Sequence, residues 1–246
     1  KAAVLLNDLG IPLWKVGSGD VQDYVLLDYL IETKKPIIIS SGMVSLSELD
    51  EVIKYITNKK ASLAVLYCVS EYPCPPEHFN LGTIEYLKEK YPDVVIGFSD
   101  HSVDGHEVDL AAVKLGAQII EKHFSTSRKH WGSDHKASVL PDEMKEMVDG
   151  IHSKKYRDID TSLYYGDREK ELEGANNQFR PYFNKSLVAG VDIPIGTVLT
   201  MDMVYAMRPQ MYIKGLSSNK LNRIIGKRSK RAIKKYESIT NNYFEL

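Results

Sequence analysis

The chain's 246 residues, of which 43% are apolar and 26% charged, suit a globular protein with one large or two modest domains and exclude a disordered chain. Its 32 basic and 33 acidic residues nearly balance, so net charge favours neither nucleic acid nor an anionic membrane surface as a partner. No apolar run reaches the roughly 18 residues that a membrane span needs. Cys68 and Cys74 are a poor basis for a disulfide framework, so we expect a cytoplasmic protein whose partners are small molecules.

Short apolar runs rich in Ile and Val are typical of buried parallel strands, and they recur along the first half of the chain. They occupy residues 13–18, 36–42, 63–70, 94–101 and 118–125. Helical spacing lies between them at 44–58, where Ser45 or Ser47 is the expected N-cap, and at 106–116, which ends on Gly116. Because parallel strands need such crossovers, the pattern predicts an α/β protein with a parallel sheet.

Two architectures fit five βα units, a doubly wound sheet and a (βα)8 TIM barrel. No G-x-G-x-x-G opens a helix, and polar residues recur at the strand ends, which favours the barrel, since its loops after the strands build one common site. Five units are an incomplete barrel, and the chain begins KAAVLLNDLG without a methionine. We therefore expect an N-terminally truncated product.

The pattern changes after an acidic helix predicted at 141–154. Residues 155–182 are charged, rich in asparagine and weakly periodic, which is typical of a linker arm. From residue 183 to residue 246, short strands and turns predict a small β-rich module. The sequence thus divides into part of a barrel domain at 1–154, the arm at 155–182 and the module at 183–246.

Five of the seven histidines lie within residues 96–135, and two of them, His101 and His123, stand at the ends of neighbouring predicted strands. Two neutral imidazoles with open positions beside them suit a divalent ion such as Mn²⁺, Co²⁺ or Zn²⁺ that acts as a Lewis acid. Either histidine taken alone could be an ordinary buried or surface residue. Asp100 could orient one of these ligands or cap the helix that follows.

Polar side chains also lie at or just after the C-terminal ends of the predicted strands. They are Lys15, Ser18, Ser40, Ser41, Ser70 and Ser99. A lysine with several hydroxyls and loop amides at one end of a barrel is what a phosphate dianion needs. Any one of these serines could equally be a turn residue, so the interpretation depends on their joint placement.

The motifs in chain order resemble those of the sialic acid synthase family, which includes N-acetylneuraminate, legionaminate and pseudaminate synthases. The residues that carry the resemblance are KVGSGD, PIIISSGM, YCVSEYPCPPEHFNL, IGFSDHS, EKHFS, GSDH and VYAMRP. This resemblance implies a TIM barrel followed by an antifreeze-like (SAF) domain. It also implies a transferase that joins phosphoenolpyruvate to an N-acylated amino sugar, such as N-acetylmannosamine, to give a nine-carbon sugar and phosphate.

The resemblance implies a role for each matching position. His101 and His123 would hold the divalent metal, Mn²⁺ in the first place with Mg²⁺ or Co²⁺ as alternatives. The contacts with phosphoenolpyruvate would come from Lys15, Ser18, Ser40 and Ser99, with Ser70 where some relatives have asparagine. Tyr72 and Asp134 would bind the sugar, which Arg208 would reach from the partner subunit of a domain-swapped homodimer.

Other interpretations stay open beside this one. Tyr72 could be a packed loop aromatic, Asp134 a turn residue and Arg208 a surface charge. A metal-dependent hydrolase could use the same two histidines, with Asp134 or Asp100 as the third ligand. The family's catalytic groups from its first two barrel strands have no counterpart here, so an inactive sugar-binding fragment is the other alternative.

Overall fold

The structure, a computed structural model, describes residues 2–103, 105–170 and 179–244. Its main sheet has five strands in the order β1-β2-β3-β4-β5. They are β1 (Trp14–Val16), β2 (Ile37–Ser40), β3 (Leu63–Cys68), β4 (Val95–Asp100) and β5 (Ile120–Lys122). Each strand lies inside a predicted run, and β3 pairs with β4, and β4 with β5, in parallel. The predicted parallel α/β fold of five βα units is confirmed.

One helix precedes β1, and further helices follow the strands, as the crossover rule requires. They are α1 (Ala2–Asp8), α2 (Tyr24–Glu32), α3 (Leu46–Asn58), α4 (Gly82–Lys90), α5 (Glu107–Lys114), α6 (Pro141–His152), α7 (Ser162–Tyr165), α8 (Arg180–Phe183) and α9 (Gln210–Ile213). Ser45 caps α3, since its hydroxyl accepts a hydrogen bond from Glu48 N at 3.2 Å and Glu48 accepts one from Ser45 N at 3.0 Å. Gly116, with φ +104°, provides the left-handed residue after α5.

The described residues divide into two compact units. The first unit holds the described residues up to Ile37, residues 52–62 and those from Phe179 onward. The second unit holds residues 38–51 and the described residues from Leu63 to Lys170. Within the described ranges, no helix combines the length and the apolar character needed to cross a bilayer.

In the second unit an aromatic cluster packs against one face of the sheet. Tyr67 and Phe98 are register partners on β3 and β4, and their rings stack with centroids 6.2 Å apart. Phe79 meets Phe98 edge to face at 5.7 Å, and all three side chains are buried. Because side chains alternate along a strand, the neighbours of Tyr67 and Phe98, which are Cys68 and Ser99, belong to the other face.

The C-terminal part of the first unit is a small β-rich module. Strands β6 (Ser186–Ala189) and β7 (Val204–Met207) pair antiparallel, and isolated bridges such as Ile193 with Ile233 extend the pairing. Its core is apolar and buried, with Leu187, Val188, Leu199, Val204, Ile233, Ile239 and Phe244. Within the predicted arm, α7, α8 and a 3-10 helix at Lys155–Asp158 are formed. Residues 171–178 of that arm lie outside the described residues.

Candidate active site

The register of β4 and β5 places the chemically active side chains of the second unit on one face of the sheet. Ser99 pairs with Glu121, and Asp100 pairs with Lys122. Because side chains alternate, Ser99 and Glu121 share a face with the residues two positions further on, His101 and His123. The contacts agree: Ser99 Oγ donates to Glu121 Oε1 at 2.8 Å, and the two imidazole centroids are 5.5 Å apart.

His101 is buried and held in one orientation. Its Nδ1 lies 2.6 Å from the carbonyl oxygen of Val69, so Nδ1–H donates there and the lone pair of the neutral ring is on Nε2. Burial lowers the pKa of His101, and the neighbouring His123 lowers it further. His101 is therefore a neutral imidazole with a fixed tautomer, the form in which histidine binds metal.

His123 completes a pair that suits one divalent ion. An ion bonded to two imidazoles lies about 2 Å from each ligating nitrogen, and rings whose centroids are 5.5 Å apart can share such an ion. His123 Nδ1 is 3.9 Å from Asp134 Oδ2, a carboxylate that is 70% exposed. Within the described ranges, no cluster of three or more His, Cys, Asp or Glu side chains could hold a metal ion. The third ligand that the hydrolase alternative needs is thus not found in the described part of the chain.

Tyr72 belongs to the same cluster. Its ring centroid lies 4.0 Å from that of His101 and 6.0 Å from that of His123, and the side chain is 45% exposed. A half-exposed aromatic ring beside two imidazoles can face a bound ligand on one side and the protein on the other. The structure therefore brings together four of the predicted site residues, Tyr72, His101, His123 and Asp134.

The serines at the strand ends are buried, with Ser40, Ser41, Ser70 and Ser99 each at most 5% exposed. Among the described residues, the hydroxyls of Ser41 and Ser70 have no hydrogen-bond partner. Buried hydroxyls are rarely left unpaired, and a bound ligand rich in oxygen atoms would satisfy both. The hydroxyl of Ser99 is already used by Glu121.

Glu121 was missed by the sequence analysis. It stands two residues before His123 and opposite Ser99, so it shares the face that carries the imidazoles. Strand alternation within EKH could have indicated it, because residues two apart on a strand point the same way. A carboxylate in that position can accept a proton from a bound ligand.

A buried ionic cluster lies on the opposite face of these strands. Lys122 forms an ion pair with Asp100 and lies 3.2 Å from Asp109 Oδ2 on α5, and the three side chains are at most 1% exposed. Asp100 therefore does not contact the imidazoles directly, and it does not cap α5, whose N-cap position is His106. It accepts hydrogen bonds from Ser102 N at 2.8 Å and Ser102 Oγ at 2.7 Å.

The cluster changes the titration of its members. Burial raises the pKa of Asp109 well above its usual range, and the negative charge of Asp100 adds to this effect. Burial alone would lower the pKa of Lys122, but the two carboxylates outweigh it and raise that pKa. Lys122 is consequently a fixed positive charge in the interior.

The remaining predicted site residues belong to the first unit. Lys15 is exposed on β1, with Nζ 3.5 Å from the carbonyl of Val16, and Ser18 opens a 3-10 helix that ends at Asp20. Arg208 forms an ion pair with Asp20 of its own chain and lies 5.4 Å from the ring centroid of Phe183. Contacts of Lys15, Ser18 and Arg208 with substrate stay predictions.

An acidic pair holds Lys185 next to this arginine. Lys185 Nζ lies 2.8 Å from Asp20 Oδ1 and 2.7 Å from Asp23 Oδ2. Burial alone would lower the pKa of Lys185, but the attraction of the two carboxylates raises it. Asp20 is thus shared by Lys185 and Arg208 within the first unit.

Comparison with known proteins places the chain in a family. The model of the NeuB family matches residues 1–159, and the model of the SAF domain matches residues 184–245. The chain is 36% identical to N-acetylneuraminate-9-phosphate synthase of Homo sapiens over 203 residues, which are 82% of this chain and 54% of that protein. It is 33% identical to N,N'-diacetyllegionaminic acid synthase of Campylobacter jejuni over 238 residues, or 96% of this chain and 68% of that protein.

A solved structure agrees with the sequence relatives. The crystal structure of spore coat polysaccharide biosynthesis protein SpsE from Bacillus subtilis superposes with a TM-score of 0.85 at 30% identity, covering 100% of this chain and 71% of that one. The chain thus spans about half the length of the human relative and less than three quarters of the Bacillus subtilis protein. Its fold and its family matches agree, and the chain belongs to the NeuB family with a SAF domain at residues 184–245.

Proposed function

We propose that this protein condenses phosphoenolpyruvate with an N-acylated amino sugar to form a nine-carbon sialic-acid-type sugar and phosphate. The observation that carries the proposal is the pair of His101 and His123, 5.5 Å apart between ring centroids, beside Tyr72 and on the same face as Ser99 and Glu121. The names of the human and Campylobacter relatives support a synthase of this type.

The reaction needs a bond between C3 of phosphoenolpyruvate and the aldehyde carbon of the open-chain sugar. A divalent ion, Mn²⁺ first with Mg²⁺ or Co²⁺ as alternatives, would be held by His101 and His123 and would polarise the aldehyde oxygen. The face of Tyr72 and the carboxylate of Asp134 would orient the sugar. His101, fixed by Val69, needs no reorientation when the ligand arrives.

Water then adds at C2, and the tetrahedral intermediate collapses by C–O cleavage with release of phosphate. The atoms balance, since phosphoenolpyruvate, sugar and water give the nine-carbon acid and phosphate. The unpaired hydroxyls of Ser41 and Ser70 would donate hydrogen bonds to substrate oxygens, and Ser40 would contact the same substrate. Ser99 would do so by exchanging its bond to Glu121 for one to the substrate. Lys15 and Ser18 would bind the phosphate as it leaves.

The quaternary structure and location belong to the same proposal. We infer a cytoplasmic homodimer in which Arg208 reaches the sugar bound by the partner subunit. Light scattering on the purified protein measures the mass of the particle in solution. For a homodimer we expect twice the chain mass of 27.8 kDa. A monomer under conditions of full activity would contradict it.

Phosphate release in the presence of Mn²⁺ tests the proposed reaction. We expect release to require both phosphoenolpyruvate and an N-acylated hexose, and mass spectrometry over a panel of such hexoses to identify the nine-carbon product. Release from phosphoenolpyruvate without sugar would indicate a hydrolase instead. Binding of both substrates in calorimetry without any turnover would indicate a non-catalytic sugar-binding protein.

A further inference from the structure

Two residues directly before the histidines are joined to each other. Asp100 precedes His101 on β4, and Lys122 precedes His123 on β5, and these two residues are register partners. Their side chains form an ion pair on the face opposite the imidazoles. The link therefore connects the two backbone segments from which the candidate metal ligands project.

The ion pair is anchored to further groups on both sides. Lys122 lies 3.2 Å from Asp109 Oδ2 on α5 and donates to Ser102 Oγ at 3.2 Å. Asp100 accepts from the backbone N–H of Ser102, the residue that directly follows His101. The backbone on both sides of His101 is thus tied to Lys122, and α5 holds Lys122 from behind.

Stability alone is a poor reason for this cluster. The side chains of Lys122, Asp100 and Asp109 are at most 1% exposed. Removing charges from water is so costly that a protein with apolar residues of similar size in place of a buried ion pair is often equally or more stable. A buried ionic group is better suited to selecting one geometry among several similar packings.

The position of His123 depends on such a geometric restraint. β5 has three residues and stands at the end of the five-strand order, with β4 as its neighbour in the sheet. His101 is fixed by Val69 at 2.6 Å, whereas the nearest carboxylate to the His123 ring is that of the exposed Asp134, at 3.9 Å. The position of His123 therefore depends on its backbone, which directly follows Lys122 and accepts a hydrogen bond from Val139 N at 2.8 Å.

We propose that Lys122 is a positioning residue that, clamped between Asp100 and Asp109, holds His123 at the distance from His101 that one divalent ion requires. The inference rests on the metal site of the proposed function and adds the residues that set its geometry. Lys122 itself does not touch the substrate or the ion, since it points to the helix side of the sheet.

Two variants separate positioning from stability. In Lys122→Met with Asp100→Asn, both members of the ion pair are replaced and the amide oxygen can still accept from Ser102 N, so folding is expected to survive while the link between the strands is lost. Asp109→Asn keeps the shape and removes one partner of Lys122. Lys145→Met is the matched control, because Lys145 forms an exposed ion pair with Asp149 on α6.

The measurements are Mn²⁺ affinity, from the paramagnetic resonance signal of free Mn²⁺, and the melting temperature. We expect the double variant to melt within a few degrees of the wild type but to bind Mn²⁺ about 10- to 100-fold more weakly, the effect typical of groups that support a metal ligand. Asp109→Asn should weaken binding severalfold, and Lys145→Met should change neither quantity.

A folded double variant with wild-type Mn²⁺ affinity would overturn the positioning role and leave the proposed function intact. If the double variant does not fold, unchanged affinity in Asp109→Asn overturns it and weakened affinity supports it. A wild-type protein that does not bind Mn²⁺ would instead contradict the metal site of the proposed function, on which the inference rests.

Discussion

The Nδ1 atom of His101 lies 2.6 Å from the carbonyl oxygen of Val69, at the end of the neighbouring β3 segment. This contact leaves Nε2 of a neutral ring as the acceptor, and the ring of His123 lies 5.5 Å away between centroids. The carbonyl group that follows β3 therefore orients the candidate metal ligand that follows β4. The predicted behaviour of the site follows from that arrangement.

Loss of His101 should remove the metal together with the activity. Because the proposed metal site has two histidine ligands, His101→Ala is expected to weaken Mn²⁺ binding by more than about 100-fold, beyond the loss seen for supporting groups. Titration followed by paramagnetic resonance measures this. His152→Ala is the control, since His152 is exposed at the end of α6. Turnover with normal Mn²⁺ dependence in His101→Ala would rule out the assignment.

Lys15 is predicted to act on one substrate. Hydrogen bonds to charged groups contribute about 1.5–3 kcal/mol, so Lys15→Ala should raise the KM for phosphoenolpyruvate roughly 10- to 100-fold. The KM for the sugar should change much less. Lys35→Ala serves as control, because the ammonium group of Lys35 contacts Asn7 and the Trp14 ring and has no predicted role in binding phosphoenolpyruvate. An unchanged KM for phosphoenolpyruvate would remove Lys15 from the site.

Arg208 offers a test of its own, because Asp20 holds it by an ion pair. If Arg208 binds the sugar, Arg208→Ala should raise the KM for the sugar about tenfold or more while the melting temperature stays near that of the wild type. Asp20→Asn releases the arginine and should leave sugar binding equal or stronger. Normal sugar kinetics in Arg208→Ala would show that this arginine is a surface charge.

A pH-dependent contribution to stability is expected from Glu143 at the start of α6. It accepts hydrogen bonds from Leu140 N at 2.8 Å and Arg128 Nη2 at 2.6 Å. Burial alone would raise the pKa of Glu143, but these two groups outweigh it and lower the pKa below its ordinary 4.5. The carboxylate therefore stabilises the fold above pH 4.5, and this contribution is lost as pH falls through the lowered pKa.

Glu143→Ala should reduce the free energy of unfolding by about 1 kcal/mol at pH 7, the usual cost of losing a helix cap, with the exposed ion pair adding little. The difference from the wild type should shrink below pH 4.5. Denaturant unfolding at several pH values measures it, and the exposed Glu146→Ala is the control. A difference that persists undiminished in acid would show that the charge of Glu143 is irrelevant.

The strands could be predicted from sequence because short runs rich in Ile and Val, separated by helical stretches, are typical of buried parallel strands. His101 and His123 could be predicted for the same reason, since both lie near the ends of such runs. The capping residue of α3 was limited to Ser45 or Ser47, and the reciprocal bonds with Glu48 select Ser45.

Other features depend on pairings that no local pattern contains. Asp109 has the appearance of an ordinary acidic residue in the first turn of α5, and its contact with Lys122 exists only once β5 is in register. Glu121 needed the same register to be placed opposite Ser99. Asp20 and Arg208 are 188 positions apart, so their ion pair is a product of tertiary folding.

The central claim is that His101 and His123 bind one divalent ion together. Anomalous diffraction from crystals soaked in Mn²⁺, recorded at the manganese edge, tests it directly. We predict a single strong peak about 2.1 Å from Nε2 of both histidines, the usual bond length to an imidazole nitrogen. A peak elsewhere, or rings whose Nε2 atoms point apart at saturating Mn²⁺, would contradict the account.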